Sequence, residues 1–284
     1  MTRFAHVNGR YVRHAAASVH IEDRGFQFAD GVYEVCAVRN GLLVDERPHL
    51  DRLERSLAKL RIGMPVARAA LGVIMRELVA RNRVADGLVY IQVTRGQARR
   101  DHGFPMPPVA PTLVVTARSL ERASFDRRAA SGVKVLLTPE IRWARSDIKS
   151  VSLLPNVLAK QEAREAGCFE AWFVAADGTI TEGASSNAWL VDAKGRLRTR
   201  EASSRILPGI TRAEIIALCR QHGLTCEETP FTEEDIRTAR EAFVTAATYG
   251  AMPVVQVGDH RIGDGTPGPI ARRIRDLYWT TRES

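Results

Sequence analysis

Cysteine is scarce in this sequence, and its pattern argues against a metal centre. Only four cysteines occur among 284 residues, namely Cys36, Cys168, Cys219 and Cys226. None of them belongs to a C-x-x-C pair, and no histidine stands beside them at the spacing of metal ligands. We therefore expect reduced, mostly buried cysteines of a cytosolic protein and no metal in its function.

Long apolar runs are also missing. No stretch approaches the length of a membrane-spanning helix, and the first twelve residues, MTRFAHVNGRYV, lack the apolar core of a signal peptide. The sequence predicts a cytoplasmic protein that has no membrane partner.

Dense blocks of lysine are absent too, although the chain is basic. Lysine and arginine number 41 against 33 aspartate and glutamate residues, which gives a net charge of +8. Because the arginines are spread along the chain, a nucleic-acid partner is not expected. A basic surface suits small anionic substrates such as keto acids and a phosphorylated cofactor.

What the chain does contain indicates an α+β protein with two domains. Its length allows two domains, and its hydrophobic content of 45% is ordinary for a globular protein. Asn-Gly pairs at 8–9 and 40–41 between short alternating runs predict hairpins, and residues 48–62 carry a leucine stripe at helical spacing. We predict a small domain over residues 1–118, a linker over 119–125 and a larger domain over 126–284.

A lysine and a glutamate draw attention in the predicted larger domain. Lys149 lies in RSDIKSVSLLPNVLAK, between a polar turn and an apolar helix-like run. A partly desolvated lysine at such a junction can lose its proton and attack a carbonyl, although most lysines there are ordinary surface residues. Glu182 lies some thirty residues later, in TITEGASSN, where small and hydroxyl residues follow it at once.

The pair DIKS and TEGASSN resembles the fold-type IV enzymes that use pyridoxal 5'-phosphate (PLP). The resemblance extends from about Val7 to Tyr278. It implies a small N-terminal α/β domain, a larger C-terminal mixed-sheet, barrel-like domain, and a homodimer. It also implies that Lys149 forms the Schiff base with PLP and that Glu182 pairs with the pyridine nitrogen.

Further motifs of this family indicate a phosphate site. The start of a predicted helix at L-P-G-I-T-R can bind an anion through its free amides, and in the family this segment, with Ile210 and Thr211, cradles the PLP phosphate. The segment H-L-D-R-L resembles the one whose arginine binds the PLP phosphate in the family, which implies that role for Arg52. Considered alone, Arg52 would be a solvated helical residue. Ala247 stands where many relatives carry a hydroxyl, so the resemblance leaves only its backbone amide for the phosphate.

Two other segments carry the predicted substrate residues. Tyr33 in F-A-D-G-V-Y-E could pack in a core, but the family places this aromatic near cofactor and substrate. The loop GQARRDHGFPMPP contains Arg100 and His102, which could be a flexible basic tip or a carboxylate trap. The phrase R-x-H-x-F-P resembles the loop of the D-amino-acid aminotransferases, which implies that both side chains bind the substrate α-carboxylate from the neighbouring subunit.

The resemblance therefore predicts a ping-pong aminotransferase that moves the amino group of a D-amino acid, such as D-alanine, to 2-oxoglutarate or pyruvate. A branched-chain L-amino-acid aminotransferase and an aminodeoxychorismate lyase-type enzyme on the same fold remain the alternatives. A basic binding protein without activity would have no reason to combine Lys149, Glu182 and the G-I-T helix start.

Overall fold

The computed structural model describes residues 3–283 and divides into two compact units. The first unit runs to Arg122 and also includes Ile148–Ser152, and the second contains Ala123–Asp147 and Leu153 onward. The outermost residues of the predicted domains, Met1, Thr2 and Ser284, lie outside the described residues. No helix within 3–283 combines the length and the apolar character that crossing a membrane requires.

The first unit contains a six-stranded antiparallel sheet, whose strands β1 to β6 are defined below and follow the order β2-β1-β6-β5-β3-β4. Both predicted hairpins are present, since the strands on either side of Asn8-Gly9 and of Asn40-Gly41 pair antiparallel. All four of these turn residues adopt positive φ. The elements are β1 (Phe4–Val7), β2 (Arg10–Arg13), α1 (Arg24–Phe28), β3 (Gly31–Arg39), β4 (Leu42–Leu43), α2 (Glu46–Leu60), α3 (Arg68–Arg81), β5 (Gly87–Thr94) and β6 (Thr112–Ser119), with a short 3-10 turn at His14–Ala16.

The core of this unit lies between the sheet and the helices α2 and α3. Leu50, Leu53 and Leu57 of the predicted stripe are buried in it, and Leu60 packs against its border. The apolar face of α2 therefore attaches the helix to the sheet. This attachment positions the polar residues on the same helix.

A short return segment joins the first unit. Ile148 is 4% exposed in the core of that unit, and the Tyr33 amide donates to the carbonyl of Lys149 at 2.9 Å. The Val151 amide donates to the carbonyl of Gly31 at 3.1 Å. The segment that contains Lys149 is thus bound along β3.

The second unit contains a nine-stranded mixed sheet. Its strands, β7 to β15, are defined below and follow the order β12-β11-β10-β13-β14-β7-β8-β9, with β15 paired to β14. Strand β7 runs parallel to both of its neighbours, β14 and β8. The elements are α4 (Arg122–Ser131), β7 (Val133–Pro139), α5 (Leu154–Glu165), β8 (Glu170–Val174), β9 (Ile180–Gly183), β10 (Asn187–Val191), β11 (Leu197–Thr199), α6 (Ile210–Gln221), β12 (Cys226–Glu228), α7 (Glu233–Arg237), β13 (Glu241–Ala246), β14 (Gly250–Val257), β15 (His260–Arg261) and α8 (Pro269–Glu283).

Strand β10 shows why this sheet is buried on both faces. Trp189 and Val191 belong to a cluster with residues of α6 and α8, whereas Ala188 and Leu190 belong to a different cluster. Because successive side chains of a strand point to opposite faces, a continuous apolar run indicates a strand covered on both sides.

Helix α4 begins inside the segment that the sequence predicts as a linker. Residues 122–125 begin helix α4, and Phe125 and Ala129 pack into the core of the second unit. The segment lacks a clear apolar stripe, so the helix depends on these tertiary contacts rather than on its own periodicity. The domain limits themselves stay a prediction.

Candidate active site

Lys149 and Tyr33 lie together in the first unit. The Lys149 Nζ lies 4.2 Å from the centroid of the Tyr33 ring, a distance suited to an ammonium over an aromatic face. Tyr33 in turn stacks on Tyr90 with ring centroids 5.7 Å apart. Burial, together with the neighbouring Tyr33, raises the pKa of Tyr90 to about 12, so its hydroxyl stays protonated. In the portion of the chain that is described, the Lys149 amine forms no ion pair.

Arg52 projects from α2 into a buried ion pair. Its Nε and one terminal nitrogen donate to the two oxygens of Glu34 at 2.9 and 2.7 Å, and the His49 ring lies 3.0 Å from the same carboxylate. Burial raises the pKa of Glu34, but the Arg52 charge and the hydrogen bonds from His49 and Arg52 outweigh it and hold that pKa well below its ordinary value. The guanidinium is therefore held in one orientation, and its role toward a phosphate stays a prediction.

Arg100 and His102 lie on the exposed loop that joins β5 and β6. Both side chains contact the Phe28 ring at the end of α1: the Arg100 guanidinium carbon lies 4.6 Å from its centroid, and the His102 centroid lies 5.4 Å away. The structure thus brings these two predicted substrate residues together on one aromatic platform and leaves them open to solvent.

Glu182 is the buried carboxylate of the second unit, on β9. It accepts hydrogen bonds from the guanidinium of Arg142, from the Asn187 side chain at 3.0 Å and from the Leu207 amide at 3.0 and 3.1 Å. Burial raises the pKa of Glu182, and the Arg142 charge opposes that rise. The carboxylate is consequently a fixed acceptor whose negative charge is partly compensated.

The predicted phosphate cradle is the first turn of α6. Gly209 is its N-cap and supplies no capping side chain, while Ile210 and Thr211 are 6% and 3% exposed. A Cβ at Gly209 would collide with the Asn187 side chain, so glycine is required for this close approach. Asn187 also donates to the Leu207 carbonyl at 3.0 Å, and it therefore links Glu182 to the start of the helix.

Ala247 lies in the turn between β13 and β14, near the same strands. Thr245 pairs in register with Asn187 on the adjacent strand. The hydroxyl of Thr245 accepts a hydrogen bond from the Trp189 indole nitrogen at 3.0 Å, so it already serves the core. Position 247 has a backbone amide and no side-chain hydroxyl, and the contact of this amide with a phosphate stays a prediction.

The predicted residues form two groups, one in each unit. The first unit holds Tyr33, Arg52, Arg100, His102 and Lys149, and the second holds Glu182, Ile210, Thr211 and Ala247. Their union in a single cofactor site stays a prediction.

Sequence reasoning missed the residues that hold these groups in place. Glu34 closes the F-A-D-G-V-Y-E phrase and Asn187 closes TITEGASSN, so both stood in motifs already singled out. His49 immediately precedes the leucine stripe of α2 and could have been found as a polar residue on a core-facing turn. Arg142 follows no local pattern, and only the ion pair with Glu182 reveals it.

The donor sets of the two groups fit PLP. A glycine N-cap leaves the first amides of α6 open to a phosphate, and the Thr211 hydroxyl adds a donor there. A buried carboxylate fixed by three donors suits a protonated pyridine nitrogen, and an amine without an ion-pair partner suits a carbonyl.

Comparisons with known proteins agree with this chemistry. Residues 31–257 match the model of the family described as amino-transferase class IV. The D-alanine aminotransferase of Bacillus licheniformis is 39% identical over 268 residues, which cover 94% of this chain and 93% of that protein. The D-alanine aminotransferase of Listeria monocytogenes is 37% identical over 274 residues, with coverage of 96% and 93%.

Solved structures share the fold at lower identity. The branched-chain amino acid aminotransferase of Escherichia coli has a TM-score of 0.91 at 22% identity, over 99% of this chain and 95% of that one. The T.th. branched-chain amino acid aminotransferase, crystallised with pyridoxamine 5'-phosphate, has a TM-score of 0.89 at 24% identity, with coverage of 98% and 93%. These likenesses concern the fold alone.

The solved structures show that the chain has the fold that the motifs predict, that of fold type IV. The chain belongs to the class IV aminotransferases, which are PLP-dependent transaminases. The predictions of family, fold class, enzymatic activity and cofactor are confirmed.

Proposed function

We propose that this enzyme transfers the amino group of a D-amino acid, such as D-alanine, to a 2-oxo acid such as 2-oxoglutarate or pyruvate. The paired Arg100 and His102 side chains on one Phe28 platform carry the proposal, because together they offer a forked cation and a second donor to a carboxylate. The D-alanine aminotransferases at 39% and 37% identity support it. The physiological substrate pair is one amino acid and one 2-oxo acid.

In the proposed site the two groups of residues hold one PLP molecule. Arg52, the amides of Ile210 and Ala247, and the hydroxyl of Thr211 bind its phosphate, and Glu182 pairs with the pyridine nitrogen. When bound, PLP supplies the carbonyl that captures the amino group and the ring that accepts electrons from the substrate Cα. All further chemistry falls to the side chains around it.

Lys149 is the proposed base. Its amine lies over the Tyr33 ring on a half-buried residue, where it can take the proton from the substrate Cα. The contacts of Glu34 with Arg52 and His49 hold the proposed phosphate arginine in one orientation, in which it would bind the cofactor phosphate.

The substrate carboxylate is held by Arg100 and His102. Because both side chains are exposed on their own unit, we propose that they reach the active site of a second copy in a homodimer. Fixing the carboxylate decides which face of Cα meets the Lys149 amine, and this selects the D enantiomer.

Four free cysteines are consistent with a cytoplasmic enzyme.

A coupled assay tests the proposal. Purified holoenzyme is given 2-oxoglutarate with D-alanine, L-leucine or L-alanine in separate reactions. Glutamate formed from D-alanine alone supports the proposal. Turnover of L-leucine would instead assign the branched-chain activity, and absence of turnover in a protein with the cofactor absorption band would favour the lyase.

The Arg100→Ala variant tests the residue that carries the proposal. Loss of charge-assisted hydrogen bonds to the carboxylate should raise KM for D-alanine by about 10- to 100-fold while the cofactor absorption band stays unchanged. Arg55→Ala is the matched control, since Arg55 is an exposed arginine of α2 outside both groups of site residues. Equal KM values in the two variants would refute the assignment of Arg100.

A further inference from the structure

The loop that carries Arg100 and His102 is held along its first side by α1 and the turn before it. The Arg24 amide donates to the Gly96 carbonyl at 2.9 Å, and the Ala98 amide donates to the Glu22 carbonyl at 3.3 Å. An isolated antiparallel bridge between Asp23 and Gln97 lies between these two bonds. The chain therefore enters the loop along a fixed path.

The Arg24 side chain holds the loop again at Asp101 and His102. This guanidinium is almost fully buried: the Arg24 side chain is 4% exposed. Its terminal nitrogens donate to the carbonyls of Asp101 at 2.6 Å and His102 at 3.3 Å. Because one planar group binds two successive carbonyls, the orientation of the peptide between Asp101 and His102 is restricted. The direction in which the His102 side chain leaves the backbone is restricted with it.

Arg24 is itself fixed by a carboxylate at the end of α1. Its Nε donates to Asp30 at 2.8 Å, and the same carboxylate accepts two bonds from Arg95 at 2.7 and 2.9 Å. Burial raises the pKa of Asp30, but the hydrogen bonds and charges of Arg95 and Arg24 outweigh it and lower that pKa overall. The aspartate therefore stays ionised and holds both guanidinium groups.

The aromatic ring of Phe28 contacts Arg24 and also Arg100 and His102, the two residues of the proposed carboxylate trap. Its centroid is 4.9 Å from the Arg24 guanidinium carbon, 4.6 Å from that of Arg100 and 5.4 Å from the His102 ring. Arg24 thus contacts the backbone of the loop and also the ring on which both trap side chains lie.

The far side of the loop is anchored at Phe104. The Arg95 guanidinium carbon lies 3.7 Å from this ring, and that of Arg61 lies 4.7 Å away. Arg95 also donates to the carbonyls of Leu60 and Arg61 at 2.9 and 3.1 Å. The loop is therefore held at Gly96 and Ala98 before Arg100 and at Phe104 after His102, and the Arg24 side chain holds it between them at Asp101 and His102.

We propose that Arg24 is a positioning residue for substrate binding. Through its bonds to the loop carbonyls and its contact with Phe28, Arg24 holds Arg100 and His102 in the geometry that binds the substrate carboxylate. This inference rests on the proposed function, because it assigns the trap to that substrate. Arg24 itself does not contact the substrate. Its effect reaches the substrate only through the direction of the two trap side chains.

Arg24→Lys tests the inference, since lysine keeps the charge but cannot bind Asp30 and two carbonyls in one plane. Arg198→Lys is the matched control, because Arg198 also donates to a carboxylate, that of Asp235, and to a backbone carbonyl, that of Pro230. Neither of these two partners is a predicted site residue. Both variants lose comparable bonds, so a general loss of stability should appear in both.

The readouts are steady-state kinetics with D-alanine, the cofactor absorption band and amide hydrogen exchange over residues 97–104. Arg24→Lys should raise KM for D-alanine about tenfold, change kcat by less than about threefold and leave the absorption band unchanged. Exchange of the loop amides should become about tenfold faster in Arg24→Lys alone. A KM equal to that of Arg198→Lys, or an unchanged exchange rate in the loop, would overturn the inference.

Failure of the proposed function gives a different result. If the wild-type enzyme does not turn over D-alanine, the substrate assignment fails, while the exchange measurement still decides whether Arg24 orders the loop. If Arg24→Lys does not fold, Phe28→Leu replaces it, since this change removes the shared ring and keeps Arg24. A rise in KM for D-alanine without loss of the cofactor band then supports the inference, and an unchanged KM overturns it.

Discussion

Replacing Glu34 with glutamine should destabilise the enzyme strongly, because Glu34 is the centre of a buried ion pair. Its carboxylate is 0% exposed and accepts from Arg52 at 2.9 and 2.7 Å and from the His49 ring at 3.0 Å. Glutamine has nearly the same shape, but it carries no charge and has one acceptor oxygen. The variant removes the negative charge that the buried Arg52 guanidinium contacts through two hydrogen bonds.

The magnitude follows from this geometry. Removing one partner of a buried ion pair costs about 3–5 kcal/mol, and the remaining amide oxygen recovers part of it. We therefore expect Glu34→Gln to lose about 3 kcal/mol of unfolding free energy. For a chain of this size that loss corresponds to a Tm lower by about 9 °C, at about 3 °C for each kcal/mol.

The pH dependence has a definite sign. Because the pKa of Glu34 in the folded enzyme is below its ordinary value of 4.5, its ionised form stabilises the fold. That contribution is complete above 4.5 and is lost as the pH falls through the folded pKa. The difference between wild type and Glu34→Gln should therefore be constant near neutral pH and should shrink in acid below about 4.5.

Thermal unfolding of the cofactor-free proteins measures this difference, and equal protein concentrations keep any effect of association on Tm the same in both. Glu77→Gln is the control, because Glu77 pairs with Arg81 on the surface at side-chain exposures of 41% and 40%. That variant should change the unfolding free energy by less than about 1 kcal/mol. If Glu34→Gln matches this control at neutral pH, the buried ion-pair argument is refuted.

Two further predictions concern the cofactor. Lys149→Ala should abolish the visible Schiff-base absorption and the transamination together, since it removes the amine that lies over Tyr33. An absorbance spectrum and an activity assay measure the two effects. A surviving absorption band would refute the assignment of Lys149. Thr211→Val should weaken PLP binding about 5- to 10-fold, because the first turn of α6 loses a hydroxyl donor but keeps its amides. Titration of the cofactor-free enzyme with PLP measures the Kd. An unchanged Kd would show that Thr211 does not belong to the phosphate site.

Local patterns predicted much of the first unit correctly. The Asn-Gly pairs demanded positive φ and gave the two hairpins, and the leucine stripe gave α2 within two residues of its ends. Such signals succeed because they depend on the backbone and on one buried face, which are local properties. The α4 helix had no such signal, and it forms where Phe125 and Ala129 reach the core.

The chemistry of the site divides in the same way. The amino-acid sequence by itself determined which groups are candidates for the reaction: a lysine, a glutamate, a helix that begins after a glycine, and a loop with an arginine and a histidine. Only the tertiary structure decided what surrounds them. It paired Arg52 with Glu34, bound Glu182 to Arg142 and placed Arg24 beneath the loop of His102, and these pairs are separated by 18, 40 and 78 residues in sequence. Ion pairs of this kind depend on burial and on the meeting of distant segments, which no local periodicity encodes.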